Sequence, residues 1–470
     1  MGGDGRPVLT RYRGLAQVGL WMRGREMSRV IVIGGGMSGL AAAYWAAEAG
    51  LEVSLLEATQ RLGGYNQTVR LEGQTFELGD EHFDDEPDTL LGLCRHLGLE
   101  PQPQPNRPQV VRWRGRDWVL PPGLNPATGL GLHRLSTLPF SRKTRWRLAT
   151  ERWVAPAALR DEPVDAFFCR RLGPEVWEVL APYMEAMLGG PAGEASTPEA
   201  CPALPQLERR GGLVVGSRRL RAQGQWHLAG GMGGLVQALA TRLQQKARLL
   251  PGQEALAITH QAGRWAVHLP GGRLEAEAVV VALPAPRAAR VFRPSSPQLT
   301  TWLNQFPYQH SAKVFLLYRP AQPMEGPVDY YWAKAEGYAG TALRQTPLDS
   351  GLVLARVQFA GEVARSADAE LSRLAQQDLC KFLQAPTHPR AAWVFRQPFA
   401  RPQFAPGHTR RVAALEQALV HAPGLFLTGG YLAGPGLARQ IAHSHQVIAH
   451  SHQVTQRLLN FMALSVPRSD

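Results

Sequence analysis

Apolar and polar positions fall into ordered blocks from about residue 29 onward. Arg29 to Ile33 is a β-branched run that predicts a strand, Ser38 to Ala49 is Ala-rich and predicts a helix, and Glu52 to Glu57 predicts a second strand. Proline-rich stretches near 101–108, 121–126 and 198–205 then cut the chain into short elements with helical patches between them. A turn and helix are expected around 226–242, where Gly230 to Gly234 precede Leu235 to Leu243. Strand patterns return at 254–282 and 312–318, and the apolar stretch Ala276 to Pro286 reads as a buried strand. Near the C-terminus come a strand at Leu425 to Thr428, a glycine-rich turn and a long helix from about Leu437 to Phe461. Strands at both ends of a helical middle predict one nucleotide-binding domain assembled from separated segments and interrupted by others.

Composition narrows the class. Of 470 residues, 44% are hydrophobic and 19% charged, which supports a sizeable core over two or three domains and excludes wholesale disorder. No run approaches the ~18 consecutive apolar residues of a membrane span. Leu15 to Met22 is too short and interrupted for a secretory core. Met27 stands directly before the first strand, so residues 1–26 read as a disordered extension ahead of an original start.

Net charge is +13, and the five lysines leave 46 arginines. The excess is local. Residues 101–160 carry +9 and residues 1–29 carry +4, so the remainder is neutral. Four scattered cysteines (Cys94, Cys169, Cys201, Cys380) lack CxxC spacing, which argues against a zinc site or disulfide framework and suits a reducing cytoplasm. The heptapeptide IAHSHQV occurs at Ile441 to Val447 and again at Ile448 to Val454. Seven residues are close to two helical turns, so the duplication nearly preserves a helix face. His443 and His450 share one face, as do His445 and His452, but no carboxylate or cysteine cluster accompanies them. A tandem duplication on a partly exposed helix is the expectation, with no metal.

Gly34-Gly35-Gly36-Met37-Ser38-Gly39 is a G-x-G-x-x-G loop between the first strand and helix. Gly34 permits the tight turn, Gly36 lets the backbone approach a pyrophosphate, and Gly39 lets helix and strand pack closely. The helix N-terminus offers unpaired N–H groups to phosphate. Glu57 ends the second strand 23 residues after Gly34, where a carboxylate can accept from both ribose hydroxyls. Arg61-Leu62-Gly63-Gly64 follows, the R-x-G-G extension of flavoproteins, so the motif pair points to FAD and not NAD.

With these motifs the chain, from about Arg29 to its end, resembles the oxygen-dependent protoporphyrinogen and coproporphyrinogen oxidase family, within the amine-oxidase-like flavoproteins. Trp113 to Pro121 (WRGRDWVLP) resembles the family's aromatic-Gly-basic-x-x-Leu-Pro hairpin, and Val164 to Val176 (VDAFFCRRLGPEV) is similar to its helix. Tyr183 to Gly190 with Leu207-Glu208 resembles the stretch leading to its acidic segment, and Gly429 to Leu437 resembles its C-terminal flavin loop.

The resemblance implies α/β plus α+β architecture, with a Rossmann-type FAD-binding domain built from discontinuous segments (27–84, 226–290, 405–470). It also implies a substrate-binding domain (85–120, 205–225, 291–404) and a helical, basic, membrane-facing domain (121–204). Gly34 to Gly39, Glu57 and Ala58 are assigned to the ADP half of FAD, with Arg61, Gly63 and Gly64. Tyr65 falls where relatives carry Lys or Trp. Leu78-Gly79-Asp80-Glu81 matches the turn that passes the flavin, although the family usually has Gly-Pro where Asp80 stands. Ala255 falls where a backbone group meets the adenine. Gly429, Gly434, Pro435, Gly436 and Leu437 fall at the flavin end, where a helix N-terminus can stabilise negative charge.

The implied chemistry passes hydride equivalents from a porphyrinogen to the flavin in successive two-electron steps, with O2 as acceptor and H2O2 as product, in heme biosynthesis. The cofactor carries the chemistry, and no catalytic acid–base residue is nominated. The substrate's propionates call for an arginine. The family's basic residue before the hairpin aligns with Gln109, which leaves Arg107, two positions away, as the nearest candidate.

Within 101–160, Arg142, Lys143, Arg145, Arg147 and Arg152 interleave with Trp146, Leu148 and Trp153. This segment either rests on an anionic membrane surface at the inner face of the cell membrane, draws in an anionic substrate, or is simply a solvated basic face. Nucleic acid is excluded as a partner because no binding module accompanies the charge. A homodimer stays open, because such an interface leaves no periodic signature. Two other functions compete: an amine oxidase or carotenoid desaturase, for which Tyr431 is the one aromatic-cage candidate, and a non-catalytic FAD- or tetrapyrrole-binding relative, favoured by Asp80 and Gln109.

Overall fold

The computed structural model describes residues 29–449 apart from 85–88, 106, 157–160, 221–224, 262 and 333–335. The expected N-terminal extension, His450, His452 and the end of the last helix lie outside the described residues.

The first βαβ unit is β1 (Arg29–Ile33), α1 (Met37–Glu48) and β2 (Glu52–Glu57). A hairpin, β3 (Thr68–Leu71) and β4 (Gln74–Glu77), leads to the Leu78–Glu81 turn. The WRGRDWVLP segment spans the hairpin β5 (Gln109–Trp113) and β6 (Arg116–Val119). The helical middle contains α2 (Arg142–Thr150), α3 (Val164–Leu172) and α4 (Pro174–Leu188). Then come α5 (Gly231–Gln244), β7 (Ala247–Pro251), an antiparallel three-stranded meander over 257–276, and β8 (Ala278–Val281). The α5 helix starts earlier than expected. Gly231 to Gly234 form its first turn, where Glu77 accepts from the Met232 N–H at 3.1 Å.

Strands β9 (Tyr308–Tyr318), β10 (Val328–Trp332), β11 (Ala342–Pro347) and β12 (Val353–Ala360) follow. Helix α6 (Asp368–Leu383), β13 (Ala391–Pro402) and β14 (Leu425–Leu427) complete the named elements, and residues 437–449 are helical.

Five parallel strands in the order β7-β2-β1-β8-β14 form the nucleotide-binding sheet, drawn from widely separated parts of the chain. Val30 and Val32 pack on one face with the small residues of α1, whereas Ile31 and Ile33 pack on the other with Val279 and Val281. A sheet covered on both faces needs continuous apolar strands. That is why β1 and β8 carry no alternation.

The second sheet has seven strands in the order β13-β9-β12-β11-β10-β5-β6. Its two faces differ. Val314, Leu343 and Val357 pack onto Leu371, Ala375 and Leu379 of α6. On the opposite face Phe315, Leu317 and Leu354 pack against Leu78 and Phe76 of the first hairpin and its turn, which presses this sheet against the nucleotide-binding half.

The helical middle has its own core, including Phe167, Phe168, Val176, Val179 and Leu180. An ion pair is buried within it. Arg171 is 1% and Glu151 0% exposed, and Glu151 also accepts from the N–H groups of Leu213 (3.0 Å) and Val214 (3.1 Å). That pairing accounts for one of the RRLG arginines as a structural element.

Candidate functional site

The glycine loop leaves β1 and turns into α1. At Gly34 (φ +106°) a Cβ would stand 2.6 Å from the Ala282 carbonyl oxygen, and at Gly39 one would stand 1.8 Å from the Gly34 carbonyl oxygen. Packing alone requires both glycines. Gly36 differs: a Cβ there would meet only the Gly64 Cα, at 3.9 Å. Its open side therefore faces free space at the α1 N-terminus, the cradle a pyrophosphate needs.

The R-x-G-G segment closes this cradle from the other side. Gly63 N–H donates to the Gly35 carbonyl at 2.7 Å, and Gly36 and Gly63 form a β-bridge. Arg61, assigned to the ADP half, holds its own turn: its guanidinium donates to the carbonyls of Leu62 (3.1 Å) and Gly64 (2.6 Å). Glu57 accepts from Gly35 N–H (2.9 Å), Thr59 N–H (2.9 Å) and Thr59 Oγ1 (2.8 Å). A carboxylate has about four lone-pair positions, so Glu57 keeps acceptor capacity for a ribose hydroxyl. Ala58 is exposed beside it, and Ala255, 9% exposed, follows the loop in which Gln253 N–H donates to the Glu57 carbonyl at 2.9 Å.

The residues expected at the flavin end converge on the same place. Gly429, Gly434 and Gly436 have φ of +141°, +86° and +96°, and the helix over 437–449 starts directly after them with Leu437 buried. Pro435 lies in this turn, half-buried. Ser38 in the first turn of α1 donates to Gln440 in the first turn of that helix at 3.4 Å, so two helix N-termini point at one region. Thr428 ties the turn down through Ser444 Oγ and His443 Nδ1, both at 3.0 Å. His445 packs on Trp45 with ring centroids 4.6 Å apart. These two histidines of the repeat thus have packing partners. Met37 is buried at the head of α1. The cradle fits a dinucleotide such as FAD.

The Leu78–Glu81 turn joins the cradle to the second sheet. Gly79 is required because a Cβ would lie 2.4 Å from the Tyr65 carbonyl oxygen. Burial pushes the Tyr65 hydroxyl up to about 12, against the pull of Arg287. Asp80 lies 3.8 Å from Arg401. Lys313 of β9 donates to the carbonyls of Leu78 (2.6 Å) and Gly79 (3.2 Å), and Gln397 of β13 donates to Leu78 at 2.6 Å. Burial, reinforced by Arg356, lowers the Lys313 ammonium to about 7 despite Glu81.

Glu81 does not turn towards the cradle. It is ion-paired with Arg107 (3.0 Å), Arg344 and Arg356, and Arg344 also grips Asp329. Burial alone would raise the Glu81 carboxyl, but Arg344 and Arg356 hold it well below the usual range. Strand register explains the assembly. Arg344 faces Arg356 across β11–β12, Asp329 faces Arg344 across β10–β11, and Gln109 faces Asp329 across β5–β10. Directly opposed residues share a face, so a polar row crosses the sheet. Tyr183 of α4 covers one end, accepting from Gln109 at 3.3 Å with its ring 4.9 Å from Tyr331.

Of the residues around this turn and polar row, the sequence had singled out Arg107 but not Lys313, Arg344, Arg356, Asp329 or Gln397. Lys313 carried a signal, as a lone cation inside the apolar run Ala312 to Tyr318. Arg344 and Arg356 carried none among 46 arginines. Tyr431 was the aromatic-cage candidate, but it is 0% exposed and packed in the core beside Phe306, ring centroids 5.1 Å apart. In α2, Leu148 is buried and Arg147 donates to the Arg171 carbonyl at 3.3 Å, so both leave the exposed basic face. Trp146 and Trp153 remain 68% and 67% exposed, beside exposed Arg142, Lys143 and Arg152. Among the described residues no group of His, Cys, Asp and Glu has metal-ligating geometry, and no helix is long and apolar enough to cross a membrane.

A nucleotide cradle of this form, built from separated segments and abutting a mixed sheet, defines an FAD-dependent oxidoreductase. The chain belongs to the flavin containing amine oxidoreductase family, whose model matches residues 37–440. It is 26% identical over 454 residues to the coproporphyrinogen III oxidase of Bacillus subtilis, covering 87% of this chain and 94% of that one. It is 33% identical over 333 residues to the protoporphyrinogen oxidase of Bos taurus, covering 63% and 68%. A crystal structure from Exiguobacterium sp. 255-15, provisionally named a protoporphyrinogen oxidase, superposes with a TM-score of 0.78 at 23% identity, covering 91% of this chain and 99% of that one. That last likeness concerns the fold.

Proposed function

We propose that the protein oxidises a porphyrinogen, protoporphyrinogen IX or coproporphyrinogen III, to the porphyrin in heme biosynthesis, with O2 as acceptor and H2O2 as product. The observation that carries this reading is the Leu78–Glu81 turn, one side of which belongs to the dinucleotide cradle while the other is fastened to a cationic sheet face by Lys313 and Glu81. A substrate lying on that face is placed beside the flavin end of the cradle. Bound FAD supplies the hydride acceptor. The protein's own residues supply orientation: the glycine loop and Glu57 hold the nucleotide half, and the arginines of the sheet meet an anionic substrate. The names of the relatives support the same substrate class.

The exposed Trp146 and Trp153 with Arg142, Lys143 and Arg152 form a surface suited to an anionic membrane, where indole rings enter the interface and arginines meet lipid phosphates. This surface supports our reading of the protein as a peripheral partner of the inner face of the cell membrane.

The test of the activity is an anaerobic titration of the purified holoprotein with each porphyrinogen, following the flavin absorbance. Bleaching by one of them, reversed by air as porphyrin and H2O2 appear, is the expected result. A flavin that stays oxidised with both refutes the reading.

A further inference from the structure

Two rows of directly paired residues on one face of the nucleotide-binding sheet differ in character. The row nearer the cradle, Leu250–Leu56–Ile33–Val281–Leu427, is apolar throughout. Two residues back along the strands the row reads Arg248–Ser54–Ile31–Val279–Leu425, so its first two members are polar. A sheet covered on both faces calls for apolar strands. Edge protection accounts for the charge at Arg248, because β7 is the edge strand. It does not account for Ser54, which lies one strand further in. Neither the Arg248 guanidinium nor the Ser54 hydroxyl is hydrogen-bonded or ion-paired to another described residue.

A cavity of about 310 Å³ opens at this place, and both residues line it. Arg29 and Glu52, which begin β1 and β2, line it too, as do Arg273 and Glu275 from the last strand of the meander, Gly272–Ala276. Arg29 meets Glu52 through Nε alone, at 3.3 Å, and Arg273 meets Glu275 through Nη2 at 2.8 Å. A guanidinium has five N–H donors in a fixed fork. Arg29 and Arg273 therefore keep donors beyond their ion pairs, and Arg248 keeps all of its own. Three arginines against two carboxylates leave one positive charge in excess. Glu277, close by, does not cancel it, because it accepts from the Arg29 backbone N–H at 2.7 Å and is ion-paired with Arg264.

We propose that this cavity is an anion site separate from the cradle, which takes the phosphoryl group of a small ligand through Arg248, Arg273 and Arg29, with the Ser54 hydroxyl as a further donor. Guanidinium forks match phosphate oxygens, and the bonds are charge-assisted. Glu52 and Glu275 steady two of the arginines and oppose the anion, so Arg248, which is bonded to nothing, contributes most of the attraction. The cavity is larger than one phosphate and has room for a small organic group that carries it. Arg29 begins β1 and the glycine loop follows its other end, so roughly 13 Å of strand separates this cavity from the cradle.

The test uses the full-length FAD-loaded protein, in which the filled cradle does not compete for phosphate. Isothermal titration with inorganic phosphate and with glycerol 3-phosphate, at constant ionic strength, is expected to show one saturable site. Tighter binding of the ester assigns an organic phosphate as the ligand, and equal or tighter binding of the free ion assigns phosphate itself. Arg248→Gln is expected to weaken binding by about tenfold and Ser54→Ala by about threefold. Arg242→Gln serves as the control, because Arg242 is an exposed arginine of α5, the helix that covers the opposite face of the sheet; its variant should bind as the wild type does. Arg248 is exposed and unbonded, so its substitution leaves the fold intact. Absence of saturable binding of either probe at millimolar concentrations overturns the proposal. So does an Arg248→Gln protein that binds like wild type, or an Arg242→Gln protein that loses as much affinity as Arg248→Gln.

Discussion

Lys313 Nζ donates to the Leu78 carbonyl at 2.6 Å from a strand 235 residues further along the chain. The bond fastens the turn beside the nucleotide cradle to the second sheet. Leu78 packs there against Phe315 and Leu317, while Arg356, Glu81, Arg401 and Asp80 act on the buried ammonium. A cation at such a position carries a desolvation cost, and that cost has a pH signature.

Burial lowers the Lys313 ammonium from 10.5 to about 7. Below that value both folded and unfolded chains hold the proton, and the cost of burying the charge is felt in full. Between about 7 and 10.5 the unfolded chain binds more protons than the folded one, so stability rises with pH. The Lys313→Met variant loses this contribution. In urea unfolding followed from pH 7 to pH 10, the wild type should gain stability relative to the variant by up to ~1.4 kcal/mol per pH unit. Parallel curves would show that the ammonium is not held in the environment described.

The glycine loop separates packing from cofactor binding. Gly39→Ala places a Cβ 1.8 Å from the Gly34 carbonyl oxygen and cannot be accommodated without moving backbone. It should destabilise the apoprotein itself. Gly36→Ala meets only the Gly64 Cα at 3.9 Å and leaves the loop's own contacts intact. The apoprotein should then melt within a degree or two of wild type, while FAD affinity, read by flavin fluorescence, falls by at least about tenfold. A Gly36→Ala protein that retains FAD at wild-type affinity would mean that the pyrophosphate does not pass over this residue.

The contrast between those glycines also marks what sequence reading can reach. G-x-G-x-x-G, Glu57 and R-x-G-G lie close together, and each encodes a local turn or strand end. Their positions could be assigned from spacing, and the βαβ unit followed from uninterrupted apolar runs flanking an Ala-rich helix. What spacing did not reveal was how fully the local groups satisfy one another: Arg61 bonds its own turn and Glu57 is already engaged by Thr59. The sheet face was illegible for a different reason. Arg107, Arg344 and Arg356 meet at Glu81 only through the register of β5, β10, β11 and β12, and a one-residue slip in any pairing would reverse a side chain's face. The basic segment was legible as charge but not as a face, because Leu148 and Arg147 turn inward while Trp146 does not.

That last distinction yields a test of the membrane surface. Trp146 and Trp153 are among the few large apolar side chains left exposed, and the Arg152 guanidinium lies 4.6 Å from the Trp153 ring centre. A ring so placed can enter the headgroup region while the arginine remains at phosphate level. Each arginine or lysine at an anionic surface contributes about 1 kcal/mol, and salt screens that contribution. Wild-type protein should therefore co-sediment with vesicles containing phosphatidylglycerol at low salt and dissociate as salt rises, with little binding to phosphatidylcholine alone. Trp146→Ser with Trp153→Ser should weaken co-sedimentation at every salt concentration, because the apolar contribution is not screened. Arg142→Gln with Lys143→Gln should weaken it mainly at low salt. Since these four residues lie outside the cradle and the polar row of the sheet, FAD content should stay at the wild-type level in both double variants. Equal sedimentation of all three proteins would leave the patch as a solvated basic face and remove the membrane as a partner.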